Sequence, residues 1–154
     1  MTITHHEPFI RHCYALARQA AAQGDHPFGA LLARDGQVLL TAVNTITTDH
    51  DITRHAELNL ISQASRQFDP ATLAECTLYT STEPCAMCAG AIFWAGVPAI
   101  VYGSSAETLG EIAGGAFVVP SRVLLAYGQR PTAVTGPILP DEGRAIHQAY
   151  WPSR

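Results

Sequence analysis

Cys85 and Cys88 stand two residues apart directly behind Pro84, and upstream the chain reads His55-Ala56-Glu57. This pairing constrains the fold more than any other feature. Proline suits the first turn of a helix, and Cys85, Cys88, Ala89, Ile92 and Phe93 then recur at helical spacing. Both sulfurs therefore face one point at a helix start. Ala56, Leu60, Ile61 and Ala64 repeat the same way, so His55 and Glu57 open a second helix. A fold that uses these residues together must bring two helix N-termini side by side.

The residue types at those two starts suit zinc. Three protein ligands that leave a fourth position open lower the pKa of a bound water to about 7. His55, Cys85 and Cys88 make such a tripod, and helix N-terminal N–H groups favour the thiolate form that binds metal. Glu57, two residues after His55, can sit beside the tripod without being a ligand. There it would act as a general acid/base, typically contributing about 10²–10⁴-fold. The Ala56 backbone N–H, also at a helix start, is a donor left without an intrahelical partner. The competing interpretations are a closed structural zinc site and a redox Cys-x-x-Cys. A closed site wants a fourth Cys or His, and the neighbour available is His50, within a polar stretch.

The rest of the chain supplies the frame. Phe9, Ile10, Cys13, Leu16, Ala17, Ala20 and Ala21 predict a helix over about 7–23, with Gly24 just past its end. Two apolar runs, 28–34 and 37–43, flank Asp35-Gly36, a strong hairpin signal. Residues 44–53 read as a loop, 76–80 and 99–102 as short strands, and the Gly-rich 104–116 as a mobile loop able to cover a pocket. A short helix over 121–126, a strand over 133–135 and a closing helix over 141–150 complete the order. Strands alternating with helices predict an α/β sheet sandwiched by helices.

At 154 residues the chain is one domain, able to bury roughly 70% of its unfolded surface without a disulfide. The Cys85/Cys88 pair then reads as metal or redox chemistry; Cys13 and Cys76 read as buried small hydrophobes. The net charge is −4, and all nine basic residues are scattered arginines, from Arg11 to Arg154. No basic stripe forms, which disfavours long nucleic acid. Charged residues are only 14% of the chain, which fits a protein that hides surface against a partner subunit. Met1 to Glu7 show neither a basic n-region nor an apolar core, and no apolar run reaches membrane-spanning length. A soluble, cytoplasmic protein is expected.

His55-x-Glu57 with Pro84-Cys85-x-x-Cys88 resembles the signature of zinc-dependent base deaminases. The resemblance is to the cytidine deaminase superfamily, in its branch of cytosine, guanine and tRNA adenosine deaminases, with bacterial guanine deaminases most similar. It covers a core of about 7–103 and leaves 104–154 as a pocket-closing tail. It implies a three-layer α/β/α fold with a mixed five-stranded sheet, one zinc ion per subunit, and a homodimer. It implies hydrolytic deamination of a free nucleobase or related amino-heterocycle, with guanine favoured and cytosine, isocytosine or an aminotriazine as alternatives.

The same resemblance suggests substrate contacts. Phe28, in Pro27-Phe28-Gly29-Ala30, would flank the base, and Asn44 would hydrogen-bond its edge. Trp94, in Gly90-Ala91-Ile92-Phe93-Trp94-Ala95, would line the pocket. Glu83 would help ammonia leave or simply cap a helix start. In the tail, Asp141, Glu142, His147, Tyr150 and Trp151 are the residues available to close the site, and Glu142 is the candidate for reading a ring N–H edge. His5, His6, His12 and His26 lack companions at ligand spacing and read as surface or satisfied residues. Two further classes fit the core motifs less well: a tRNA adenosine deaminase-like enzyme, and a deaminase-fold binding module without catalysis.

Overall fold

The structure, a computed structural model, describes residues 3–152; Arg154 and the first two residues of the N-terminal segment considered above lie outside them. After a short 3-10 turn, α1 (Glu7–Ala22) leads into the hairpin β1 (Gly29–Arg34) and β2 (Gln37–Val43). A single turn, α2 (Ile46–Asp49), precedes α3 (Ala56–Gln67) and the short α4 (Pro70–Leu73). Then come β3 (Thr77–Thr82), α5 (Ala86–Ala95), β4 (Ala99–Ser104), α6 (Ala106–Ala113), α7 (Ser121–Leu125), β5 (Ala133–Thr135) and α8 (Pro140–Tyr150).

The five strands form one mixed sheet in the order β2-β1-β3-β4-β5. β1 is antiparallel to β2 and β3; β3, β4 and β5 run parallel. The hairpin turn is at Asp35-Gly36, as expected, and both residues have positive φ, 51° and 76°. That geometry matches the right-handed twist of the strands it joins.

Alternation along the strands sorts the core into two layers. Ala30, Leu32, Leu78 and Ile100 face α3 and α5, packing with Leu60, Ile61, Ala64, Ala89 and Ile92. Leu31, Ala33, Tyr79 and Val101 face α1 and α8, packing with Ile10, Cys13, Tyr14, Ala17 and Ile146. The three-layer α/β/α sandwich expected of this chain is the fold observed. Cys13 and Cys76 are buried among these apolar side chains. Gly29 lets α1 lie directly on β1: a Cβ there would sit 2.7 Å from the Cys13 carbonyl and 2.8 Å from the Ala17 nitrogen.

Two boundaries differ from expectation. Residues 104–116 are not a loop throughout, because α6 occupies Ala106–Ala113. The Ser105 hydroxyl accepts the Thr108 N–H at 3.1 Å, an N-cap strong enough to start a helix despite Gly110. The loop over 44–53 likewise contains α2, started where the Asn44 side chain accepts the Ile46 N–H at 3.1 Å.

The strands place the site. β1 begins, and β2, β3 and β4 end, at one edge of the sheet, with Gly29 opposite Val43 and Thr82 opposite Ser104. Phe28, Asn44, Glu83 and Ser105 all leave the sheet there. In open α/β sheets this carboxyl edge of the parallel strands is where ligands bind.

Candidate active site

Both helices that carry the metal motif begin at this edge. His55 is the N-cap of α3 and Cys85 the N-cap of α5, each with extended backbone and no side-chain capping bond. A Ser or Asp cap would typically be worth about 1 kcal/mol; here the side chains are kept free instead. Cys88 follows in the first turn of α5 and is fully buried.

The His55 Nδ1 and Cys85 Sγ atoms are 3.5 Å apart, and the ligand atoms of His55, Cys85 and Cys88 lie within 4.8 Å of one another. Among the described residues no fourth His, Cys, Asp or Glu joins this group. His50, the fourth ligand that a closed site would need, lies at the end of α2. One imidazole and two thiols fit zinc, and three ligands leave a position open. The electrostatics agree. Hydrogen bonds from Cys88 and His55 pull the Cys85 thiol down to about 4. The Cys88 thiol, hydrogen-bonded to Cys85 and buried, is pushed up, and His55 is raised through its hydrogen bond to Cys85. The pull on Cys85 is toward the thiolate, the state a metal requires.

Glu57, in the first turn of α3, is buried at 6% exposure. Burial raises its carboxyl above the ordinary range, against the pull of a hydrogen bond that Thr80 donates to Oε1 at 2.7 Å. Thr80 shares a face of β3 with Leu78 and is itself fully buried. Sequence reasoning missed it, although its even spacing from a core residue carried the signal.

A cavity of about 290 Å³ opens at the cluster. Phe28, Asn44, His55, Glu83 and Cys85 line its inner part, with His26, Ile46 and Trp151. His26 is therefore a pocket residue rather than a surface one. α6 and the segment after it, including Leu109, Phe117, Val118 and Val119, form the outer wall. Ala56 is buried at the first position of α3, where backbone N–H groups lack intrahelical partners.

Two expected pocket residues lie elsewhere. Trp94 is 84% exposed at the far end of α5, beside Phe93. Six helical residues past Cys88 carry it about 9 Å along the axis and roughly 240° round it, so it points away. Glu142, in the first turn of α8, faces solvent and pairs with Arg11 at 3.4 Å. It lies nine residues before Trp151, about 13 Å of helix, so α8 meets the pocket with its other end. There His147 packs against Phe28 and Trp151, with centroids 5.7 and 6.0 Å away. Glu83 also has a role of its own. Its Oε1 accepts the Ala106 N–H at 3.0 Å, and its Oε2 accepts both the N–H and the hydroxyl of Ser121 at 2.7 Å. It caps α6 and α7 rather than its own helix.

Known proteins place this geometry. Residues 3–104 match the family described as the cytidine and deoxycytidylate deaminase zinc-binding region. The chain belongs to this family. It is a deaminase-family enzyme with relatives among nucleobase and tRNA adenosine deaminases. A probable cytosine deaminase of Schizosaccharomyces pombe is 35% identical over 151 residues, 93% of this chain and 90% of that one. The guanine deaminase of Bacillus subtilis is 41% identical over 98 residues, 63% of each chain. A guanine deaminase structure from Nitrosomonas europaea superposes with a TM-score of 0.81 at 26% identity, covering 94% of this chain and 84% of the other.

Burial holds the His147 imidazole down to about 4; its Nε2 is 3.0 Å from the Thr82 hydroxyl and its Nδ1 has no partner. The unfolded chain takes up this proton near pH 6.5, the folded chain only near 4. Stability should therefore fall as pH drops through that window, by about 3 kcal/mol, and level off below it. Urea denaturation of wild type and His147→Gln between pH 7 and 4 checks this. The variant should lose much of that slope; an equal slope in both proteins contradicts it.

Proposed function

We propose that this chain is a zinc-dependent hydrolytic deaminase of a free nucleobase or related amino-heterocycle, releasing ammonia. The observation that carries the proposal is the open His55/Cys85/Cys88 tripod next to a buried carboxylic acid whose pKa is raised. Zinc held there, one ion per chain, would supply Lewis-acid activation of water at neutral pH. Glu57 handles protons. Burial raises the proton affinity of its carboxyl, which suits a group that acts as general base and then as general acid. Thr80 occupies Oε1, so Oε2 is the oxygen left for transfer. It accepts one proton of the attacking water and gives it to a ring nitrogen, then takes the second from the hydroxyl newly added to the ring carbon and passes it to the departing amine. A ring C–NH₂ and water become a ring carbonyl and ammonia.

The pocket residues hold the ring. The Asn44 oxygen is engaged by the Ile46 N–H, so its amide hydrogens are the groups offered to a ring acceptor. The Ala56 N–H offers a second donor, and Phe28 and Trp151 present aromatic faces to a planar ring. Guanine leads the candidates because the Nitrosomonas and Bacillus proteins are guanine deaminases. Cytosine follows from the Schizosaccharomyces relative. With Glu142 on the surface, no tail carboxylate is assigned to the ring.

The whole chain would act as one catalytic unit, the core of about 7–103 completed by a tail that closes the pocket. A cytoplasmic setting suits free thiol ligands, which reducing compartments preserve. Among the described residues no helix is long and apolar enough to cross a membrane. Trp94, Tyr127 and Val123 are 84%, 87% and 54% exposed on the adjoining α5 and α7 region. An apolar surface of this kind marks an interface, and a homodimer would cover it.

Two experiments test these readings. Zinc-loaded protein should release ammonia from at least one of guanine, cytosine, isocytosine and aminotriazines. Glu57→Gln should keep its zinc and lose about 10²–10⁴-fold in turnover. Ammonia from none of the rings, or inosine formation on a stem-loop RNA in their place, overturns the small-molecule assignment. Sedimentation should give twice the chain mass of 16.5 kDa, and Trp94→Glu should shift the protein toward monomer. A monomeric wild type at micromolar concentration removes the dimer.

A further inference from the structure

Residues 106–121 cover the pocket from outside. α6 and the Gly114–Pro120 stretch supply most of its outer wall, including Leu109, Phe117, Val118 and Val119. Within that stretch Phe117 is 76% exposed and Val118 40%, so apolar packing holds its middle weakly. Adjacent Gly114 and Gly115 add backbone freedom. Such a segment holds its shape only if its ends are fixed.

Both ends are fixed by one side chain. Glu83 is only 8% exposed. Its Oε1 takes the N–H of Ala106, where the segment begins, and its Oε2 takes the N–H and hydroxyl of Ser121, where the segment finishes. Its own N–H donates to the Ser104 carbonyl at 2.7 Å, extending the β3–β4 ladder. The carboxylate is thus seated on the rigid sheet, directly before Pro84 and the metal motif. It reaches outward to both ends of the outer wall, at two helix starts where negative charge is favoured.

We propose that Glu83 is a positioning residue: it clamps the segment 106–121 as a lid over the pocket and ties the lid to the backbone that carries Cys85. With three donors on its two oxygens it has no proton duty in the reaction. Its influence on turnover is exerted through lid placement, and so falls on substrate capture.

The test uses full-length, zinc-loaded protein. Glu83→Gln keeps the size and replaces one acceptor oxygen by a donor, which opposes the N–H groups it faces. Ser121→Ala removes one of the three bonds and leaves the rest. Amide hydrogen exchange at Ala106 and Ser121 should accelerate at least about tenfold in Glu83→Gln, and less, in the same sense, in Ser121→Ala, with zinc content unchanged in both. The kinetic arm rests on the deaminase assignment and uses guanine and cytosine. KM should rise about tenfold with kcat held within about threefold. Unchanged exchange in Glu83→Gln overturns the clamp whether or not either ring is turned over. A fall in kcat of about a hundredfold at unchanged KM overturns it too, and moves Glu83 into the chemistry. If Glu83→Gln does not fold, unchanged exchange in Ser121→Ala overturns the clamp and faster exchange there supports it.

Discussion

The packing of α3 against α5 on one face of the sheet is the contact on which the rest of this structure depends. Leu60, Ile61 and Ala64 from one helix meet Ala89 and Ile92 from the other over Leu32, Leu78 and Ile100. That apolar layer sets the two helix starts side by side, and each start carries a candidate metal ligand at the capping position. The candidate ligands are brought together by burial of ordinary aliphatic groups outside the site. Hydrophobic contact supplies the precision, and the caps forgo their usual hydrogen bonds so that imidazole and thiol stay free.

The same layer explains why the site holds a buried acid. Glu57 enters the interior because it sits in the first turn of a helix pressed onto the sheet. An unpaired carboxyl there would be costly, and Thr80 meets that cost with one hydrogen bond to one oxygen. The carboxyl keeps a raised proton affinity, which suits the proton-transfer role proposed for Glu57. A few residues further along the same sheet edge, Glu83 meets the opposite fate. Three donors saturate it, and it becomes an anchor. Two acidic residues at one site thus diverge because their hydrogen-bond partners differ in number.

The candidate metal cluster and the buried acid were legible in the chain because each depends on local spacing: His55 and Glu57 in one turn, Cys85 and Cys88 in another. The hairpin was legible because Asp35-Gly36 dictates its turn, and the layered fold because strands and helices alternate. The pocket wall was far less so. Trp94 and Glu142 have plausible chemistry and lie in correctly expected helices, but which end of a helix meets the pocket depends on how it crosses the sheet, and local pattern does not encode that. α6 was hidden by Gly110 and the glycines that follow; the Ser105 cap three residues before Thr108 was the available signal. His26, Thr80 and the paired placement of His147 and Trp151 emerge only when distant strands and helices converge.

The central claim is an open, three-ligand zinc centre. X-ray absorption at the zinc edge of purified protein tests it most directly, because it counts ligands by type without reference to any substrate. The expected result is one zinc per chain with two sulfurs at about 2.3 Å, one imidazole nitrogen at about 2.0–2.1 Å and one further light atom from solvent. A shell closed by a second histidine or a third sulfur, or protein that binds no zinc, would contradict it.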